Sequence, residues 1–432
     1  MMEKTMKLTD FTLEALKNAG ADHASCIVKL SNELEVSAEV MELTQLRDIA
    51  EKIEISLQAF VGKKMASVKV GSSDEDEIKY AAVSCVEIAK ASKDDDGHGM
   101  NDSGKEVVLE NTSPALDTDK LLAYTTKFLD DVAKDYKPIS LRRVTVSHMD
   151  IFEVYKNTFG TTIVAPSAYY DFSSMFIAVE KNLMSSMSGT GFYFTDFDRP
   201  FIEVGMVREM LENSTKHIHT MPFGDKAKGT VIMAPDCLAN MLEYIMTQFM
   251  SPQALVAKTS RWQNMLGKDV AHPSFSLASE PRSTQIVGAS KFTEEGFVTE
   301  NQQIISDGKL SSLMPNLYAS RKTGLERAKN YGTYFISKGG DKSLQELIGS
   351  IENGLLMYRY SGGVPTSSGD FSGIAKNSFI IKDGKITSGA GQTVVSGNLA
   401  DMLMNIAGMT KEVSSNGRTS LPYMAFDGIT IS

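Results

Sequence analysis

Two similar stretches constrain this chain more than any other feature. Ile304-Ile305-Ser306-Asp307-Gly308-Lys309-Leu310-Ser311-Ser312 matches Ile380-Ile381-Lys382-Asp383-Gly384-Lys385-Ile386-Thr387-Ser388 in all but a few positions. In each, Asp-Gly separates two short apolar runs, and that dipeptide tolerates the positive φ angles of a two-residue hairpin turn. The C-terminal half therefore holds two similar hairpins, which we expect to pack into one antiparallel sheet. After the second, Val394-Val395 reads as a short strand, and Ser396-Gly397-Asn398 as the cap of a helix carrying Leu399, Met402, Leu403 and Ile406 at helical spacing.

The rest of the chain alternates between strand and helix signals. Thr9 or Asp10 caps a first helix with Phe11, Leu13 and Leu16. Residues 25–30 and 34–38 read as strands, and 54–60 and 65–70 flank a turn at Gly62-Lys63-Lys64. Ser72-Ser73 caps a helix over 74–91, and the loop KDDDGHGMNDSG at 93–104 marks a domain boundary. A helix over 118–136 and a meander over 141–197 follow, then a helix over 201–214 and a linker at 216–224. Gly229 to Met233 is a strand that leads through Pro235 into a helix reaching Phe249, and Ser251-Pro252 opens another helix toward Gly267. Ser343-Leu344-Gln345-Glu346 is a capping box. Asp427-Gly428, near the C-terminus, looks like a further hairpin turn.

The expected class is α+β. It comprises an N-terminal helix and antiparallel-sheet domain (1–104), a central helix and strand-rich segment (113–227), and a C-terminal domain (228–432) with a large antiparallel sheet or barrel flanked by helices. A chain of 432 residues is long for one core. The formal charge of −10 disfavours direct binding to nucleic acid or to anionic membranes. No apolar run has the length of a membrane span and residues 1–10 have no signal-peptide core, so a soluble, cytoplasmic protein is expected. Cys26, Cys85 and Cys237 lack metal-ligand spacing and read as reduced, buried thiols.

Chemical motifs are scarce. There is no Gly-x-x-x-x-Gly-Lys-Ser/Thr loop, no Gly-x-Gly-x-x-Gly between strand and helix, no His-Glu-x-x-His, no Gly-x-Ser-x-Gly and no Cys-x-x-Cys. His98 stands among Asp94, Asp95, Asp96 and Asp102, a group that reads as a solvated acidic loop rather than a cation site. His217 and His219 are spaced to share one face of a strand and could contribute to a zinc site. Two ligands are not a site, however, and solvent-exposed linker histidines are the default reading. A stand-alone metallohydrolase using this pair and a remote carboxylate is one hypothesis.

The C-terminal segments SSGDFSGIAKNSFIIKDGKI, VSGNLADMLMNI and LPYMAFDGITIS resemble the TldD/PmbA family, also called the modulator of DNA gyrase family. So does KFTEEGFVTENQQIISDGKLSSLMPNLYASRKTG upstream, and the segments GADHASCIVKL and FVGKKMASVKVGSSDEDEI at the front are similar to the family's N-terminal domain. The resemblance implies a two-branch family of heterodimeric metallopeptidases acting on unfolded peptides, with zinc held in the TldD branch by a His-Glu-x-x-x-His helix and a C-terminal cysteine. In this chain the corresponding helix, PDCLANMLEYIMTQF from Pro235 to Phe249, has no histidine, and Ser414-Ser415-Asn416-Gly417-Arg418 has no cysteine. The resemblance therefore implies the PmbA or TldE branch, a subunit without catalytic or metal residues of its own, with zinc in a TldD-like partner.

The implied partners are that homologue, as a heterodimer, or a second copy, together with an extended peptide held by strand addition. Gly369, Asp370, Phe371, Ser372, Gly373 and Asn377 are the candidate peptide contacts, against the alternative of a turn that packs Phe371 into the sheet. A metal-free homodimeric peptide-binding or regulatory protein without a peptidase role is the competing reading.

Overall fold

The computed structural model describes residues 1–110 and 114–432. Its fold is α+β, built on two sheets. Among the described residues the first has eight strands, drawn from residues 23–194, and the second fourteen, drawn from residues 220–431.

In the first sheet His23–Glu39 pairs with Glu42–Val61 on one side and with Ile139–Asn157 on the other, both antiparallel. Ile139–Asn157 pairs in turn with Thr162–Glu180, which carries Ser188–Phe194 on its far side. The two strands expected at 25–30 and 34–38 are one continuous strand, because Ile139–Asn157 pairs with it without a break on one edge, although the pairing with Glu42–Val61 on the other shifts register between Ser31 and Glu33. Even-numbered residues of this strand face the helices. Cys26, Val28 and Leu30 pack with Leu13, Leu16, Ala82 and Cys85 from Met2–Asn18 and Glu75–Ala91. Val36 and Ala38 join a second cluster with Phe128 of Thr118–Asp135. The Glu75–Ala91 helix is capped by Asp74, whose carboxylate accepts from the N–H groups of Asp76 and Glu77 at 3.0 Å, rather than by the serines before it.

The second sheet shows why its central strands are continuously apolar. Val231 and Met233 enter one core while Ile232 and Ala234 enter the other; Leu355 and Met357 alternate with Leu356 and Tyr358 in the same way, and Met424 and Phe426 with Tyr423 and Ala425. Strands buried on both faces have no polar side to show. The sheet is mixed rather than wholly antiparallel, since Ala227–Met233 runs parallel to Asn353–Met357, with a long connection of helices and further strands of the same sheet between them. Both repeated hairpins lie in it. Asp307 and Gly308 have φ of 47° and 78°, and Asp383 and Gly384 have φ of 48° and 74°, as the Asp-Gly turns require.

Several expectations need correction. Asp427-Gly428 is not a hairpin turn: Ser420–Ile431 is one strand, and the pair forms a bulge opposite Thr230, whose hydroxyl donates to Asp427 at 2.5 Å. The helix after Ser251 ends at Val256. The loop at 93–104 keeps Asp94, Asp96 and Asp102 exposed but is docked at two points, with Asp95 accepting from Tyr318 at 2.9 Å and pairing with Lys322 at 2.5 Å, and Asn101 donating to Gly296 at 2.6 Å. Nor does that loop separate two sheets, because Glu106–Val108 joins the first sheet beside Thr162–Val164; residue 113, the expected start of the central segment, lies outside the described residues. The segment 216–224 is largely exposed, as expected of a linker, but His217, Ile218 and Phe223 are buried. His217 is 5% exposed at the end of the Val207–Lys216 helix, with its ring edge-on to Phe379, whereas His219 is exposed and sits 3.2 Å from Glu180. The two imidazoles share no site. All three cysteines are unpaired and buried. Among the described residues no helix is long and apolar enough to cross a membrane.

Two predictions follow from this packing. A Cβ at Gly308 would lie 2.5 Å from the Ala271 carbonyl oxygen, whereas one at Gly428, with nearly the same φ of +77°, would meet nothing within 4 Å. Gly428→Ala should cost only left-handed backbone strain, about 1–2 kcal/mol, and Gly308→Ala distinctly more in denaturant unfolding. Equal losses would show that the Ala271 carbonyl gives way freely. Burial holds the folded pKa of His217 below its ordinary 6.5, and His148 behaves likewise. The unfolded chain therefore binds the extra protons first as pH drops, so stability from these groups is present above about 6.5 and is lost progressively below it. Asp171 and Asp236, raised by burial, run the opposite way at lower pH. The fall in Tm between pH 7 and pH 5 should shrink by on the order of 1–2 °C in His217→Leu; an unchanged slope would refute a neutral buried imidazole.

Candidate functional site

The site is set by strand register. Met233 lies opposite Met424, so the chain leaving Ala227–Met233 meets the turn that precedes Ser420–Ile431. At that end the Ala234 N–H bonds the Met357 carbonyl at 2.9 Å, and Pro235, with its φ preset, begins the Pro235–Ile245 helix. Leu238, Met241, Leu242 and Ile245 bury the helix against the sheet. Asp236 is thereby aimed at the turn, where its carboxylate accepts from the Asn416 side chain at 3.0 Å. The helix and the turn that were read separately in the sequence as lacking metal ligands are thus joined at one place.

Asn416 is anchored in every direction. Its side-chain oxygen accepts from the N–H groups of Arg418 and Thr419, each at 2.9 Å, and its backbone carbonyl accepts from the Tyr193 N–H at 2.8 Å. Arg418 stacks over the Tyr193 ring at 4.0 Å and donates to Gly288 at 2.9 Å. Next to Asp236 opens a cavity of about 290 Å³, lined by Cys237 and Asn240 of the helix, Met206 and Met210, Arg359, and Asn377 among others. Behind its wall, Glu209 accepts from the hydroxyls of both Tyr358 and Tyr423, the latter at 2.5 Å. No sequence signal announces this clamp, because its members are distant in the chain and belong to no motif.

The donor set can be judged on its chemistry. Burial pushes the Cys237 thiol up to about 12, so it is a protonated packing group rather than a thiolate ligand or nucleophile. Burial also raises the Asp236 carboxyl, with the Asn416 hydrogen bond opposing. Pro235 offers no donor and Asn240 only a neutral amide. Among the described residues no three His, Cys, Asp or Glu side chains converge as a metal ion would require. The set does not fit a zinc ion.

The six candidate peptide contacts separate into two groups. Asp370–Lys376 is paired along its length with Thr393–Asn398, and its second half also with Arg359–Gly362. Phe371 is buried, edge-on to Tyr360 at 5.9 Å. Asp370 is held by Ser368 at 2.7 Å and by Asn398 at 2.9 Å, and a Cβ on Gly369 or Gly373 would strike the rings of Phe249 or Tyr360 at 2.6 Å. Ser372 lies on the same doubly paired strand. Asn377 is different. It has φ of 52°, is 3% exposed, and donates through Nδ2 to Ser188 at 2.9 Å, while its Oδ1 is buried without a partner. A buried acceptor left unmade costs about 1–3 kcal/mol.

Comparison with known proteins bears on this geometry. Residues 226–432 match the family model described as the PmbA/TldA metallopeptidase C-terminal domain. The metalloprotease PmbA homolog of Haemophilus influenzae is 21% identical over 442 aligned residues, covering 100% of this chain and 96% of that protein. The metalloprotease PmbA of Escherichia coli O157:H7 is 26% identical over 65% of this chain and 63% of that protein. In fold, the crystal structure of TldE from Thermococcus kodakarensis superposes with a TM-score of 0.82 over 99% of this chain and 100% of that one, at 17% identity. Residues 226–432 thus match the family's C-terminal domain, and the chain as a whole is similar to PmbA homologues in sequence and to TldE in fold.

Proposed function

We propose that this chain is the zinc-free subunit of a TldD/TldE-type metallopeptidase complex, contributing to peptide binding while a TldD-like homologue holds the zinc and carries out hydrolysis. The observation that carries this reading is the Asp236–Asn416 contact. The helix and the turn expected to supply zinc ligands in the other branch come together here, bearing an amide and a buried acid instead of imidazole and thiolate. Metal-assisted hydrolysis needs an electrophile and an activated water, and the protonated Cys237 and the neutral amides of Asn240 and Asn416 supply neither. The cavity beside them supports a binding role, being lined by apolar methionines together with convergent polar groups.

Elemental analysis of the purified chain, combined with a peptidase assay on an unfolded peptide, tests the proposal. The chain alone should carry well under one zinc per molecule after dialysis and should be inactive, and activity should appear on mixing with a zinc-bearing homologue. A stoichiometric zinc retained by the isolated chain would sink the proposal. A lack of any complex with the homologue would favour a metal-free homodimer.

A further inference from the structure

We infer that Arg282 and Lys291 form a binding site for a small oxyanion, a phosphate or a carboxylate, at the base of the loop 290–299. The site uses none of the residues around Asp236, so it does not rest on the subunit reading above. The loop folds back on itself: the Thr299 N–H donates to the Lys291 carbonyl at 3.1 Å, and Phe292 pairs with Val298. Arg282 staples its two sides, donating through Nε to the Thr299 carbonyl at 2.9 Å and through Nη2 to the Lys291 carbonyl. Tyr334 holds the preceding residue, its Oη accepting from the Ser290 N–H at 2.9 Å. A guanidinium and a phenol are thus fastened to consecutive backbone positions, the second of which carries the Lys291 ammonium.

What this place lacks is a negative charge. Arg282 and Lys291 are both half-buried, and among the described residues neither makes an ion pair. Glu300, beside the staple, is exposed and lies 3.5 Å from Lys329 instead. Burial lowers the pKa of both cations, and the Arg282 guanidinium lowers that of Lys291 further. Two like charges withdrawn together from water repel each other and lose hydration, an arrangement that folded chains ordinarily offset with an opposite charge. The hydrogen-bonding groups left over on these side chains are donors. Arg282 keeps its Nη1 hydrogens, Lys291 its ammonium and Tyr334 its hydroxyl hydrogen, while Asn301 accepts from the Arg282 N–H through Oδ1 at 2.9 Å and is left with its Nδ2 group. A planar fork, a point charge on a flexible stem and neutral donors together match an oxyanion, which is rich in acceptors and binds guanidinium bidentately. A cation or an apolar group would find no partner here.

Thermal unfolding of the full chain tests the site, with sodium phosphate in one arm and N-acetylglycine in the other, each replacing sodium chloride at constant ionic strength. Tm should rise saturably in at least one arm, as for any ligand that binds only the folded state. The arm with the tighter apparent affinity identifies phosphate or carboxylate as the source. Lys291→Met keeps an unbranched stem and removes the charge. Its apparent affinity should fall about tenfold through loss of a charge-assisted contact, with an unchanged circular dichroism spectrum showing that it is folded. Lys291→Glu supplies the missing charge from within, so its Tm without ligand should exceed that of the wild type and should no longer respond to either anion. No saturable rise in either arm, equal affinity in wild type and Lys291→Met, or a lower ligand-free Tm in Lys291→Glu would each overturn the inference. Zinc content and peptidase activity play no part in these readings, so the subunit assignment stands or falls separately.

Discussion

The structure depends on the burial of the central strands of the second sheet on both faces. Val231, Leu355, Met424 and their alternates divide their side chains between two cores, one shared with helices of the same domain and the other with Phe172, Phe192 and Phe128 of the first sheet and its helix. At roughly 25 cal/mol per Å² of apolar surface removed from water, this double burial is the dominant force joining the two sheets. It leaves no freedom for a register slip, since moving one residue would exchange every side chain between two differently shaped cores.

That rigidity explains the position of the candidate site. A strand fixed in register ends at a fixed point, so Ala234 and Pro235 start the helix where the sheet dictates, and Asp236 reaches Asn416 without adjustment of either. The site lies at the ends of adjacent strands, where loops can vary while the scaffold stays put.

Much of this was legible in the sequence. The Asp-Gly pairs at 307–308 and 383–384 revealed two hairpins because their φ requirement is local, and the capping box at Ser343 and Glu346 formed for the same reason. Asp427-Gly428 carries the same dipeptide and became a bulge, because Ala227–Met233 continues alongside and Thr230 anchors the aspartate. Local turn chemistry was available in both cases, and tertiary pairing decided between them. Glycines 369 and 373 were read as candidate peptide contacts, but each makes room for an aromatic ring. Asn377 was singled out together with them, although its long-range bond to Ser188 and its buried, unpartnered oxygen are features that no sequence pattern displays. His217 looked like a linker residue because polar and proline neighbours surround it, and only the packing of Phe379 shows that it is buried.

A structural zinc site contributes about 10–16 kcal/mol to its fold, whereas one hydrogen bond contributes about 1 kcal/mol net. The Asp236–Asn416 contact therefore cannot hold the cavity open in the way a metal cross-link would. The surroundings must do so, and their arrangement suits the task. Asn416 is fixed by backbone donors from Tyr193, Arg418 and Thr419, Arg418 is stacked on Tyr193, and the far wall is braced by Glu209 between two tyrosines. Because the walls are supported from behind, the side-chain oxygen of Asn377 can remain buried and unsatisfied without collapse. An orphan acceptor persists in a folded protein only where the rest of the structure over-determines it. That bracing, rather than any single contact, keeps the cavity walls in place.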